Sequence, residues 1–104
     1  MEAKNAKISS TMLGFEDHGI FTFTLFLDYG GAGQGYGNFS LGGTFTDAAI
    51  REVLNTVGVK TWEDLPGKVV RVQANHSEVS KLGNYLTDKW LDLAELAREH
   101  KDDS

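Results

Sequence analysis

Three groups of residues in this 104-residue chain have types and spacing that could do chemistry. The first is the glycine-rich stretch from Asp28 to Gly43, where Gly31, Gly33, Gly35 and Gly37 stand at alternate positions. Glycine-rich loops can cradle phosphate through backbone N–H groups. This one lacks the Gly-Lys-Ser/Thr ending of a P-loop and the helix that follows a dinucleotide fingerprint at once. No Lys or Arg lies near it in sequence, so the fold would have to bring in Arg71 or Lys81. Gly31, Gly33, Gly35 and Arg71 are the candidate ligand-binding residues. The second group sets histidine beside acid, as Asp17-His18 and His76-x-Glu78. Two turn histidines so far apart match no metal-binding spacing such as His-Glu-x-x-His. They read as solvated turn residues, as does His100, and we expect no metal and no cofactor. The third group is nucleophiles. The chain has no cysteine, and none of Ser9, Ser10, Ser40, Ser77 and Ser80 sits in Gly-x-Ser-x-Gly. Glu16-Asp17 and Glu63-Asp64 read as turn and helix-start acids, the latter complementing a helix dipole. The expectation is a protein that is not an enzyme.

The elements that must position these residues follow from hydrophobic period. Residues 6–13 read as a strand, and Gly14 to Gly19 as a turn rich in Asp and Gly. Residues 20–28 are the clearest strand, with Phe21, Phe23, Leu25 and Leu27 on one face and Thr22, Thr24 and Phe26 on the other. The two are close enough to pair as a hairpin. If the glycine stretch is extended, its alternate glycines leave one face bare, while Ala32, Gln34 and Tyr36 point the other way. Alternation resumes over a third strand at about 36–42. Thr46 or Asp47 is a candidate N-cap. Ile50, Val53, Leu54 and Val57 then follow at amphipathic helical spacing, with Gly58 as a natural C′ residue. Thr61 can cap a short turn ended by Pro66-Gly67, with Trp62 and Leu65 folding back on the helix. Residues 68–74 make a fourth strand. Residues 79–87 fit a helix or a strand, and the short connection 75–78 favours a returning hairpin in which Gly83 marks a bulge. Residues 88–100 carry strong helix formers after an Asp cap, and the end should fray. The fold class expected is α+β: an antiparallel sheet of four to five strands, one amphipathic helix packed on a face, and a C-terminal helix, all in one domain spanning 1–104.

Charge constrains the partner. The formal net charge is −5, which argues against direct nucleic-acid binding. No Lys or Arg occurs between Ile8 and Ile50, a stretch that holds Glu16, Asp17, Asp28 and Asp47. Such a surface repels phosphate and attracts basic surfaces. No apolar run is long enough to span a membrane, and the N-terminus lacks the apolar stretch of a signal peptide. With no cysteine, an intracellular setting is expected. Tyr29 and Tyr36 flank the glycines and read as exposed anchors of the kind favoured in hot spots. The candidate partner-binding residues are therefore Glu16, Asp17, Asp28, Tyr29, Gln34 and Tyr36. Trp62 and Trp90 read as packing residues.

Several blocks also carry a resemblance. These are 4–8 (Lys-Asn-Ala-Lys-Ile), 10–14 (Ser-Thr-Met-Leu-Gly), 16–20 (Glu-Asp-His-Gly-Ile) and, most specifically, 27–35 (Leu-Asp-Tyr-Gly-Gly-Ala-Gly-Gln-Gly). Val57-Gly58-Val59, 62–68 (Trp-Glu-Asp-Leu-Pro-Gly-Lys) and Asp88-Lys89-Trp90 extend it. Together they resemble a largely uncharacterised family of small proteins encoded by bacteriophages and prophages. The resemblance covers residues 4–90, and the helical tail from 91 to 104 lies outside its pattern. It implies a phage source and the host bacterial cytoplasm as the place of action. The function expected is that of an anti-CRISPR-like inhibitor, binding a host protein with a basic, nucleic-acid-binding surface; the chain could act as a homodimer. Two other readings stay open: a sponge that sequesters a nucleotide signal at the glycines, and a structural or virion accessory protein.

Overall fold

A computed structural model describes residues 2–29, 31–75 and 78–100, and its longest strand comes first. This strand, β1 (Glu2–Phe15), runs beyond the expected 6–13 at both ends because it has a partner on each side. Its first half pairs antiparallel with β4 (Val69–Ala74), from Glu2 opposite Ala74 to Lys7 opposite Val69. Its second half pairs with β2 (Phe21–Tyr29), from Lys7 opposite Asp28 to Phe15 opposite Phe21. A bulge at Ser9 separates Ile8 from Ser10 and lets both Ile8 and Thr11 face inward. Bulges bend the strand that carries them, and here the bend lies where β1 passes from one partner to the other.

The inner face of β2 is the one its sequence period predicts. Phe23, Leu25 and Leu27 are buried, while Phe26 on the other face is exposed. The third strand, β3 (Ala32–Gly37), starts earlier than the expected 36–42. The glycines do not break the strand, because they fall in register against β2: Gly33 opposite Asp28, Gly35 opposite Phe26, Gly37 opposite Thr24. The chain then leaves the ladder at Asn38, which has a φ of 65°. Residues 38–41 run along β2, with Asn38 N–H donating to the Phe23 carbonyl and Leu41 N–H to that of Phe21. This segment covers Thr22 and Thr24, which are buried on the outer face and donate to Phe39 O and Asn38 Oδ1.

Helix α1 (Gly43–Val57) begins at Gly43 and not at Thr46 or Asp47. Its N-cap, Gly42, makes no side-chain cap bond. The reason is packing: the buried stripe is Phe45, Ala49, Val53 and Thr56, so the first turn is needed to place Phe45. Of the stripe read from sequence, Val53 is buried, while Ile50, Leu54 and Val57 lie half-buried along its flank. Gly58 ends the helix in the left-handed region and donates to the Leu54 carbonyl, as expected. A single turn, Trp62–Asp64, follows. Leu65 is fully buried, but Trp62 packs on the sheet, edge-on to Phe23 at 5.3 Å, and donates from Nε1 to Thr11 Oγ1.

Strand β5 (Val79–Asn84) confirms the returning hairpin. Gly83 is not a bulge; it pairs in register with Arg71, and the irregularity lies at Gln73/Ala74. Residues 88–92 are not helical. They form a turn and a two-residue strand, β6 (Trp90–Leu91), and the ring of Trp90 lies on the bare backbone of Gly83. Helix α2 (Leu93–Glu99) is correspondingly shorter and is capped by Asp92, which accepts from Glu95 N–H. Leu91 and Leu93 are core residues, so the C-terminal segment is part of the packed core and not only a fraying tail.

Among the described residues the architecture is α+β, with six strands, one or two more than expected, in the order β3-β2-β1-β4-β5-β6 and two helices. The sheet curls until β3 approaches β5. Pairing directions make β3 and β5 parallel, and Tyr36 bridges this opening to the start of α2. With α1 between β3 and β4, the five main strands have the connectivity of an OB-fold, a partly open Greek-key barrel. Among the described residues no helix is long and apolar enough to cross a membrane.

Candidate functional site

The six residues read as a partner-binding group do not come together. Tyr29 and Tyr36 are both buried, at 8 % and 3 % exposure, and neither is an exposed anchor. The register explains this: Tyr36 sits opposite Leu25 and Tyr29 continues the Leu25–Leu27 face, so both point into the core. The Tyr36 hydroxyl donates to the Leu91 carbonyl and accepts from Leu93 N–H, each at 3.0 Å. Burial pushes its phenol well above the ordinary range. Gln34 shares this face at the barrel opening and is half-buried.

The glycines are bare on the outer face, as the extended reading required. Gly33 and Gly35 flank a hollow of about 190 Å³ with Ser9, Phe26 and Asp28. Arg71 is not part of it. It lies on β4, three strands from β3 in the sheet order. That is about 14 Å along the surface at roughly 4.8 Å per strand. Its Nε donates to the Asn84 carbonyl and its Nη2 to that of Thr87, and its guanidinium lies over the ring of Trp90 at 4.8 Å. Asp28 has a cation beside it, since Lys7 stands directly opposite on β1. The outer face is thus less uniformly acidic than the sequence stretch suggests.

Acid and exposed apolar surface coincide instead at the β1–β2 turn. Glu16 organises this turn. One carboxylate oxygen accepts from the backbone N–H groups of His18 at 2.6 Å and Ile20 at 3.1 Å, and the other lies 3.3 Å from His18 Nδ1. The Ile20 bond, followed by those from His18, holds the carboxyl below its ordinary value. Glu16 is therefore first a turn residue, whereas Asp17 stands exposed beside it. Around them Leu13, Phe15 and Ile20 are exposed at 41 %, 76 % and 46 %. The sequence reading missed this cluster. The signal was present: continuing the inward alternation of β1 past Thr11 gives Leu13 and Phe15.

The remaining candidates stay dispersed. Asp17-His18 holds no third ligand, and among the described residues no group of three or more His, Cys, Asp or Glu could hold a metal. His76 lies outside the described residues. His100 is packed rather than purely solvated, with Nδ1 2.7 Å from Thr44 Oγ1 and its ring against Phe45. No protein-family model matches the chain, and no curated protein matches it.

Proposed function

We propose that the chain is a phage-derived, non-enzymatic binding protein that occupies a basic surface of a host defence macromolecule, in the manner of an anti-CRISPR inhibitor acting in the host cytoplasm. The observation that carries this reading is the coincidence of exposed apolar side chains with unpaired acid at the β1–β2 turn, in a half of the chain that has no Lys or Arg from Ile8 to Ile50. OB-fold barrels commonly bind oligonucleotides on the face of strands 2 and 3. That use depends on cations and stacked aromatics. Here the corresponding face offers one exposed ring, Phe26, bare glycines and Asp28 with Lys7 opposite it, too few cations and rings to hold a phosphate backbone. A basic surface that normally meets nucleic acid is the complementary partner.

Affinity capture from a host lysate followed by mass spectrometry tests the reading, and a stoichiometric protein partner is the expected result. A nucleotide sponge predicts otherwise: a cyclic nucleotide would raise the melting temperature by several degrees, because a ligand of the native state stabilises it by mass action. Such a shift, with no protein captured, would sink the inhibitor reading.

A further inference from the structure

The β1–β2 hairpin extends past the core that its base helps to build. Cross-strand partners share a face, and the inner-face pairs run Ile8 with Leu27, Thr11 with Leu25, Leu13 with Phe23 and Phe15 with Phe21. Burial falls away along this row. Ile8, Leu25 and Leu27 are in the core, while Leu13 and Phe15 are exposed. Trp62, bonded to Thr11 and packed on Phe23, is where the cover ends. Beyond it the alternation continues to write core residues, and among the described residues nothing covers them. The rings of Phe15 and Phe21 lie against each other at 5.3 Å, tilted by 47°, and Ile20 is exposed at the same turn.

We infer that this arm is the docking element, with Phe15 as an anchor seated in an apolar pocket of a partner protein whose rim is basic. The inference rests on the function proposed above and names the surface that performs it. Charge specifies the occupant. The segments that form and flank the patch, residues 13–23 and 59–67, carry Glu16, Asp17, Glu63 and Asp64 against one cation, Lys60. A second copy of this chain would bring these acids face to face, and an anionic membrane would repel them. A basic protein surface is attracted. The arm is also pre-organised. The Glu16 carboxylate fixes the turn from both His18 and Ile20, and Gly19 N–H donates back to the Glu16 carbonyl at 2.8 Å. An anchor held in its bound shape loses less freedom on binding. Exposed apolar clusters rimmed by polar groups mark interaction sites, and central aromatic side chains carry most of the energy in such sites.

The test uses a short amphipathic Leu/Lys helix as probe, a peptide of equal charge with its leucines replaced by glutamine, and the full-length chain. Amide shifts are followed by NMR at low salt for wild type, Phe15→Ser and Phe26→Ser. The Leu/Lys helix should perturb residues 13–21 and 62–64, and Phe15→Ser should weaken it by about tenfold or more. Phe26→Ser and the glutamine peptide serve as controls: the variant should bind like wild type and the peptide only weakly. Phe15 is exposed, so its variant should melt with wild type. Shifts confined to the β2–β3 outer face and lost in Phe26→Ser would overturn the arm while leaving a basic partner in place. No shift with either peptide would overturn both. A wild-type dimer in sedimentation that dissociates in Phe15→Ser would assign the patch to self-association and overturn the proposal.

Discussion

At the scale of single residues, the Tyr36 hydroxyl joins β3 to the C-terminal segment through two backbone partners. Tyr36→Phe leaves the Leu93 N–H and the Leu91 carbonyl without this partner in a buried site, which costs about 1–3 kcal/mol. Urea unfolding should show that loss, and an unchanged midpoint would mean that water takes the place of the hydroxyl. The glycines around it are not equivalent. A Cβ on Gly37, at a φ of 123°, would lie 2.4 Å from the Phe23 carbonyl oxygen. One on Gly33 would meet nothing closer than 3.7 Å. Gly37→Ala should therefore cost about 3 kcal/mol or more through strain and overlap, whereas Gly33→Ala stays within about 1 kcal/mol. Thermal melts of the two variants side by side check the contrast. The alternate glycines looked like one feature in the sequence. In the fold, Gly37 is required by the turn away from β2 and Gly33 is open surface.

At the scale of elements, the arm depends on one carboxylate. Because the Glu16 carboxyl is held below its ordinary value of 4.5, its contribution to the turn is complete above that value and is lost as pH falls below it. Protection factors of the His18 and Ile20 amides should drop on acidification through this range while the Leu25 amide keeps its protection. Equal protection of His18 and Ile20 on both sides of that range would show that the turn stands without the carboxylate. How much was legible at this scale depended on whether a local period decided the matter. The β2 faces, Gly58 as C′ residue and the β4–β5 hairpin were all readable, because period two or a left-handed glycine specifies them locally. The start of α1 was not. Phe45 had to reach the core, and that demand overrode the better caps at Thr46 and Asp47. Nor was the break at 88–92, where Trp90 needs the bare backbone of Gly83 to lie on, a partner seven residues away that helix propensity does not see. The burial of the glycine-flanking tyrosines was missed for two different reasons. Tyr29 only continues the Leu25–Leu27 face of β2, whereas Tyr36 is set by its register opposite Leu25, which the sequence of β3 alone does not contain.

At the scale of the whole molecule, the acidic half of the sequence does not become one acidic face. Lys7 returns beside Asp28 because β1 lies between β2 and β4, and Asp47 pairs with Arg51 at 2.9 Å on α1. Of the other two acids in that half, Glu16 is engaged within the β1–β2 turn and Asp17 stands exposed beside it, at the end of the barrel that carries Phe15. The binding reading therefore moves from a strip of glycines and tyrosines to this end, and it makes Asp17 matter more than Asp28. Capture from host lysate with wild type, Asp17→Lys and Asp28→Lys in parallel tests that most directly. The account predicts a basic partner whose recovery falls with Asp17→Lys and with added salt, and falls far less with Asp28→Lys. Equal recovery on wild type and Asp17→Lys would contradict it.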